Sequence, residues 1–367
     1  MAASTELGPA HVAELDRSDM LGAIAGLPRQ LTAGYAVARA GLSEVLGEAA
    51  AGAPAAPARP TGLVVCGMGG SAIGADLALA CLPGLPVPVA VVRGYGLPAW
   101  VGPDALVVAV SYSGDTEETL TCAAEALERG CTPICVASGG ALAALAGARR
   151  LPLLTVPAGG QPRASLGYLS MPLFATFEAA GLCADVSADV GETVALLRAG
   201  NEALGPQAPD ATNVAKQLAR RLHKKQAVVY GAGLTVPAAR RWKGQVNENA
   251  KAPAFWNELP ELDHNELMGW TSLPHVAAAT LAIFLDDAHG DARLLRRAAL
   301  TAAELEARGV AVERVESRGA SRLARLFSLV QLGDYASFYL ALLYGVDPTP
   351  VGAIEDFKAK LAGGAGA

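Results

Sequence analysis

Apolar positions along the chain change period several times, and each change marks an expected element. Between residues 12 and 47, Met20, Leu21, Ile24, Leu27 and Leu31 recur at steps of three and four, the spacing that lines one face of a helix. The stretch AAAGAPAAPARP follows and reads as a linker. From Thr61 onward, short β-rich runs at 63–66, 87–92, 105–110 and 133–137 alternate with amphipathic stretches. Such alternation predicts βαβ units, hence a parallel sheet covered by helices on both faces. Residues 162–176 read as helix, and a polar, Ala- and Gly-rich passage continues to about Asn213.

The second half opens like the first. VVCGMG and VVYGAG each run from strand through Gly-x-Gly into an Ala-rich helix, and their first glycines, Gly67 and Gly231, lie 164 residues apart. Two related α/β domains follow from that repeat, each a doubly wound parallel sheet flanked by helices. Residues 310–315 read as a strand and 334–344 as an apolar helix of the second domain. The expected layout is a helical segment with linker over 1–60, domains over 61–200 and 201–346, and a tail helix over 347–367 entered past Pro348 and Pro350.

With 367 residues, 52% of them hydrophobic, the chain can bury one large or two medium cores. A net charge of −6 argues against nucleic acid as a partner, which would require a clustered basic surface. The longest apolar run, 276–285, falls short of the ~18 residues of a spanning helix, so no membrane association is expected. The opening residues show neither a basic n-region nor an apolar h-region, which makes the cytoplasm the expected compartment. Six cysteines without a CxxC pair read as reduced, packed thiols. Five histidines without HExxH-type spacing give no metal site, and no cofactor is expected.

Two glycine- and hydroxyl-rich loops are the first candidates for chemistry. Gly67-Met68-Gly69-Gly70-Ser71-Ala72 fits the dinucleotide fingerprint GxGxxA, yet any sharp strand-to-helix turn favours glycine. The second predicted strand leads into Arg93 rather than an acidic residue, which removes the ribose partner of NAD and leaves only an NADP-type alternative. Ser111-Tyr112-Ser113-Gly114-Asp115-Thr116 follows an apolar strand and precedes Leu120, Ala124 and Leu127 at helical spacing. A strand-to-helix junction of this kind presents free N–H groups and the positive end of a helix, and its hydroxyls add donors for a phosphate monoester. Helix capping by the same hydroxyls is the plain alternative. GxxxxGK[ST] is absent, which disfavours a nucleotide triphosphatase.

Arg163, at a Pro-initiated helix start, could fork onto an anion or pair with a carboxylate. A dense polar segment runs from Asn247 to Glu266, holds Glu248, Glu258, Glu261, His264 and Glu266, and with Phe255, Trp256 and Asn257 reads as an aromatic and amide-rich loop. Trp242, Val246 and Pro253 place Glu248 in the last turn of a helix, where the dipole disfavours negative charge and suits a proton-abstracting base.

The segments GMGGSAIGADL, SYSGDTEETL, PAGGQPRASLGYL, YGAGLTVPAARRWKGQVNENAKAPAF, ELPELDHNELMGW and DPTPVGAIEDFK occur here in one order. Together they resemble the bifunctional phosphoglucose/phosphomannose isomerases, which are built from two SIS (sugar isomerase) domains. The resemblance implies a homodimer with the active site between domains and subunits. It places Ser111, Ser113 and Thr116 on the sugar phosphate, Gly69, Gly70 and Ser71 along the pocket, and Arg163 near the reacting end. Glu248 is then the base, His264 opens the pyranose ring from the neighbouring subunit, and Lys358 closes the site from the tail, with Lys360 as the competing lysine. Asp115, Ser165 and Asp263 depart from the common pattern; Asp115 and Asp263 are expected to add acidity near the site.

The implied reaction is a metal-independent aldose–ketose isomerisation of glucose 6-phosphate or mannose 6-phosphate to fructose 6-phosphate through a cis-enediol, without a cofactor. A base and a donor for the enediolate oxygen are its requirements, and Arg163 and Lys358 are the candidate donors. The rivals are a non-catalytic sugar-phosphate sensor, with no need of Glu248 and His264, and an NADP-dependent oxidoreductase.

Overall fold

The computed structural model describes residues 7–49 and 60–363, so most of the expected linker lies outside the described residues. The N-terminal helical stretch is three helices rather than one: α1 (Pro9–Leu15), α2 (Met20–Ala25) and α3 (Leu27–Ala49). Two acidic residues mark the first break, between α1 and α2, and Gly26 ends α2 at the second. The Asp16 carboxylate accepts from the Met20 and Leu21 N–H groups at 2.8 and 2.9 Å, and Asp19, in the left-handed region at φ 56°, accepts from Gly22.

The first sheet contains β1 (Gly62–Cys66), β2 (Val89–Val92), β3 (Ala105–Val110), β4 (Ile134–Ala137) and β5 (Leu153–Thr155). Their order is β2-β1-β3-β4-β5 and every pair is parallel. β1 and β3 are buried along their whole length, the reason they appear in the sequence as continuous apolar runs. Helices α4 (Gly69–Cys81), α5 (Glu117–Glu128), α6 (Gly140–Arg149) and α7 (Leu166–Ala179) accompany this sheet. A single 3-10 turn, Pro162–Ala164, precedes α7, so the expected helix over 162–176 is divided in two.

Helix α8 (Ser187–Leu204) fills the passage read as polar and irregular, and α9 (Val214–Leu222) leads into the second sheet. There β6 (Gln226–Ala232), α10 (Val236–Ala250), β7 (Ala254–Leu259), α11 (Glu266–Gly269), α12 (Pro274–Ala278), β8 (Thr280–Asp286), α13 (Ala292–Ala307) and β9 (Ala311–Glu316) follow in sequence. The strand order β7-β6-β8-β9 repeats the first four positions of the first sheet, again all parallel. Gly67 directly follows β1, and Gly231 is the next-to-last residue of β6, the strand in the equivalent position of the second sheet. The segment around Trp256, expected as an aromatic and amide-rich loop, is the edge strand β7, whose polar exposed positions hide its pattern.

Helix α14 (Arg322–Leu343) runs through the main core, and α15 (Gly352–Gly363) ends the described chain. α14 is long and apolar enough to cross a membrane by composition alone, but nearly all of it is buried inside the fold against α8, α9 and α10. Its Asp334 carboxylate receives a two-pronged fork from Arg241 of α10 at 3.0 and 2.7 Å and a further bond from Gln245 at 2.9 Å. Burial pushes this carboxyl up, and the Arg241 charge opposes the push. A third Arg241 bond, to the Arg163 carbonyl at 2.8 Å, carries this clamp to the turn that precedes α7.

Candidate active site

In open parallel sheets, ligands bind beyond the carboxyl ends of the strands where the winding reverses. Here that point lies between β1 and β3, which are followed by Gly67-Met68 with the first turn of α4, Gly69–Ser71, and by the loop Ser111–Thr116. Each feeds the N-terminus of a helix, α4 or α5, neither capped by its N-cap side chain, so each presents N–H groups and a positive helix end on this edge of the sheet. Ser111 is fully buried, and its hydroxyl accepts from the N–H groups of Gly114 at 3.1 Å and Thr116 at 3.4 Å. It also shares a 2.8 Å bond with the Thr116 hydroxyl. Ser113 is exposed and accepts from the Asp115 N–H. Ser111 thus organises the loop from within, while Ser113 is exposed and Thr116 half-buried at its mouth.

Tyr112 ties this loop to the segment leading to Arg163. Its hydroxyl donates to the Pro157 carbonyl and accepts from the Gly160 N–H, both at 2.8 Å. A Cβ on Gly70 would sit 2.8 Å from the Pro162 carbonyl oxygen, so the absence of a side chain lets α4 seat directly against the turn bearing Arg163.

Arg163 is buried, and its guanidinium is engaged on every edge. Nε donates to Asn249 Oδ1 at 2.8 Å, Nη2 to the carbonyls of Pro348 and Thr349 at 2.8 Å each, and Nη1 to Gln161 at 3.3 Å. The Nη1 edge also lies 3.5 Å from the Glu248 carboxylate, which is 34% exposed. Burial lowers the Arg163 basicity, the Glu248 charge raises it, and Arg241 lowers it again. Glu248 lies in the last turn of α10, as its sequence context predicts. Gly69, Gly70, Ser71, Arg163 and Glu248 are therefore brought to one region, bounded by the 346–351 strap between α14 and α15.

His264 and Lys358 are not brought there within this chain. His264 ends an exposed 3-10 turn, Glu261–His264, and Lys358 lies on the exposed α15; among the described residues neither side chain makes a hydrogen bond or ion pair. Lys360 is exposed on the same helix. The acidic departures take structural parts instead of adding acidity to the site. Asp115 accepts from Ala141 N at the start of α6, and Asp263 binds Arg297 and Thr301 of α13 at 2.8 and 2.7 Å. Arg93, the candidate for an NADP phosphate, pairs with Asp76 at 2.5 Å and donates to the Ala72 carbonyl. All six cysteines are free, and among the described residues no three His, Cys, Asp or Glu side chains converge as a metal site.

Asn249, Lys251 and the strap carbonyls escaped the sequence reading. Asn249 is buried and bridges Arg163 to the Ser337 hydroxyl, while Lys251 donates to the Pro348 carbonyl at 2.9 Å. The NENAK run was the available signal for both side chains; a backbone carbonyl has none. A cavity of about 690 Å³ bounded by α8, α9, β9 and α14 contains none of the candidate residues.

Two parallel sheets of repeated winding, each flanked by helices, are the architecture of the SIS-type phosphosugar isomerases. The family profile described as the bacterial phospho-glucose isomerase C-terminal SIS domain matches residues 211–361. The bifunctional phosphoglucose/phosphomannose isomerase of Caldicellulosiruptor bescii is 42% identical over 82% of this chain and 89% of its own length. That of Aquifex aeolicus is 39% identical over 82% and 90%. The tagatose-6-phosphate ketose/aldose isomerase of Escherichia coli shares the fold, with a TM-score of 0.67 at 16% identity over 90% of this chain and 94% of that one. The chain belongs to the bifunctional phosphoglucose/phosphomannose isomerase family and is an aldose–ketose isomerase.

Proposed function

We propose that this isomerase interconverts glucose 6-phosphate or mannose 6-phosphate with fructose 6-phosphate through a cis-enediol, without a metal, and that Glu248 is the base. The observation that carries the reading is the Glu248 carboxylate held beside the Arg163 guanidinium at 3.5 Å, next to the turn packed on α4. A phosphate at the α4 and α5 N-termini, bonded by Ser113 and Thr116, anchors one end of the sugar and leaves C1 and C2 to reach Glu248. Glu248 removes the C2 proton of the open-chain aldose and returns it at C1, while the O2 proton passes to O1; no atom is gained or lost. Arg163 orients the carboxylate, and Lys358 is the donor for the enediolate oxygen.

His264 acts in ring opening, supplied by a second copy of the chain. Support for a dimer comes from apolar side chains left exposed beside the two detached residues: Phe255, Met268 and Leu273 around the His264 segment, and Ile354, Phe357 and Leu361 along one face of α15. The six free thiols suit a reducing, cytoplasmic setting.

The direct test is an NMR time course with each hexose 6-phosphate in deuterated water containing EDTA. Conversion of both aldoses to fructose 6-phosphate with deuterium entering C1 is expected. Turnover that stops with EDTA and returns with zinc, or no conversion of either aldose, overturns the reading.

A further inference from the structure

Lysine at position 251 is unexpected on backbone grounds. The residue follows the end of α10 in the left-handed region, φ 56° and ψ 27°, a conformation that costs a lysine and would cost a glycine nothing. Its side chain folds back so that Nζ donates to the Glu248 carbonyl at 2.5 Å and to the Pro348 carbonyl at 2.9 Å. The same Pro348 oxygen accepts from Arg163 Nη2 at 2.8 Å. Two cations, from the first domain and from α10, therefore converge on one carbonyl of the strap, and a few residues later that strap becomes α15 with Lys358.

We propose that Lys251 is a positioning residue of the isomerase site, whose cation, together with Arg163, holds the 347–351 strap against the end of the helix that carries Glu248. This rests on the reading of Glu248 as the base. Three charged groups face the lysine: Glu248 from its own helix, Arg163 from the Pro162–Ala164 turn, and Asp347 from the strap. Burial first, and then Arg163, push the ammonium down to about 8, with Asp347 and Glu248 opposing. Below that pH the charged group makes charge-assisted bonds to both carbonyls; above it the neutral amine gives weaker ones, and the strap loosens. Activity is thus retained on the acid side and lost as the pH rises through about 8.

The test compares kcat and KM for fructose 6-phosphate from about pH 6 to about pH 10 in the wild type, K251R, K251M and K251G. Wild-type kcat should fall with an apparent pKa near 8. K251M and K251G should lose roughly tenfold in kcat at neutral pH with little change in KM, and should lack that alkaline fall. K251R should recover most of the neutral-pH kcat and move the fall upward, because a guanidinium does not titrate there. K251G accommodates the left-handed backbone, so a melting curve close to wild type separates its loss of turnover from misfolding. A methionine or glycine variant that keeps wild-type kcat and the same alkaline fall overturns the proposal while leaving Glu248 in place. A wild type without isomerisation removes the reading beneath it and the proposal with it.

Discussion

Arg163 shows how much of the site is decided one side chain at a time. Four protein groups accept from its guanidinium, two side chains and two carbonyls, and of the side chains Asn249 is the buried one, held between Arg163 Nε at 2.8 Å and Ser337 Oγ at 3.0 Å. Asn249→Ala should leave a buried N–H unpaired, lowering stability by about 1–3 kcal/mol and kcat by roughly tenfold as the Glu248 partner shifts. Urea denaturation and steady-state kinetics check both; full turnover with lowered stability would leave Asn249 a packing residue only. At this scale the sequence was legible for position, as with Glu248 in the last turn of α10 and the hydroxyls between β3 and α5. Asn249 and Lys251 were not, because an amide and a lysine gain meaning only from partners 86 and 97 residues away. Asp115 and Asp263 misled for the same reason: their partners in α6 and α13 are tertiary.

Elements were legible in proportion to how completely they are buried. β1 and β3 show as unbroken apolar runs because both faces are covered, whereas edge strand β7 alternates with polar positions and reads as a loop. The first helix breaks at Asp16 and Asp19, whose side chains compete for backbone donors in a way that periodicity does not register. The loop after β3 makes the sharpest demand on sequence. Gly114 has φ 84°, and a Cβ there would fall 1.9 Å from the Gly139 carbonyl oxygen. Gly114→Ala should therefore displace the loop, raising the Michaelis constant for a hexose 6-phosphate at least tenfold and costing about 1–3 kcal/mol of stability. An unchanged Michaelis constant would place the phosphate elsewhere.

Across the whole molecule, the two repeated sheets have diverged at the same topological point. The first offers hydroxyls after β3, whereas the second offers Asp286 and Asp287 after β8, paired with Arg314 and Arg325. Carboxylates engaged by arginines do not attract a phosphate, so the proposed anion site goes with the first sheet, and the proposed base, Glu248, comes from α10 beside the second. His264 and Lys358 remain detached from that region in one chain, and exposed apolar side chains surround both. Mixed dimers of Glu248→Gln and His264→Ala protomers should consequently regain activity that neither homodimer has, since one of the two sites then contains both wild-type groups. Assays after subunit exchange check this; no gain over the separate variants would place His264 in the service of its own chain.

The central claim is that Glu248 moves the C2 proton. Glu248→Gln keeps the shape and hydrogen-bonding capacity of the side chain and removes the base, so substrate should still bind while isomerisation falls at least ~10²-fold. The decisive measurement is deuterium at C2 of aldose recovered from deuterated water, followed by NMR for the wild type and the Gln variant. Rapid labelling by the wild type and almost none by the variant is the predicted result. Labelling by the variant at close to the wild-type rate would contradict the account and move the base to Glu258, Glu261 or Glu266.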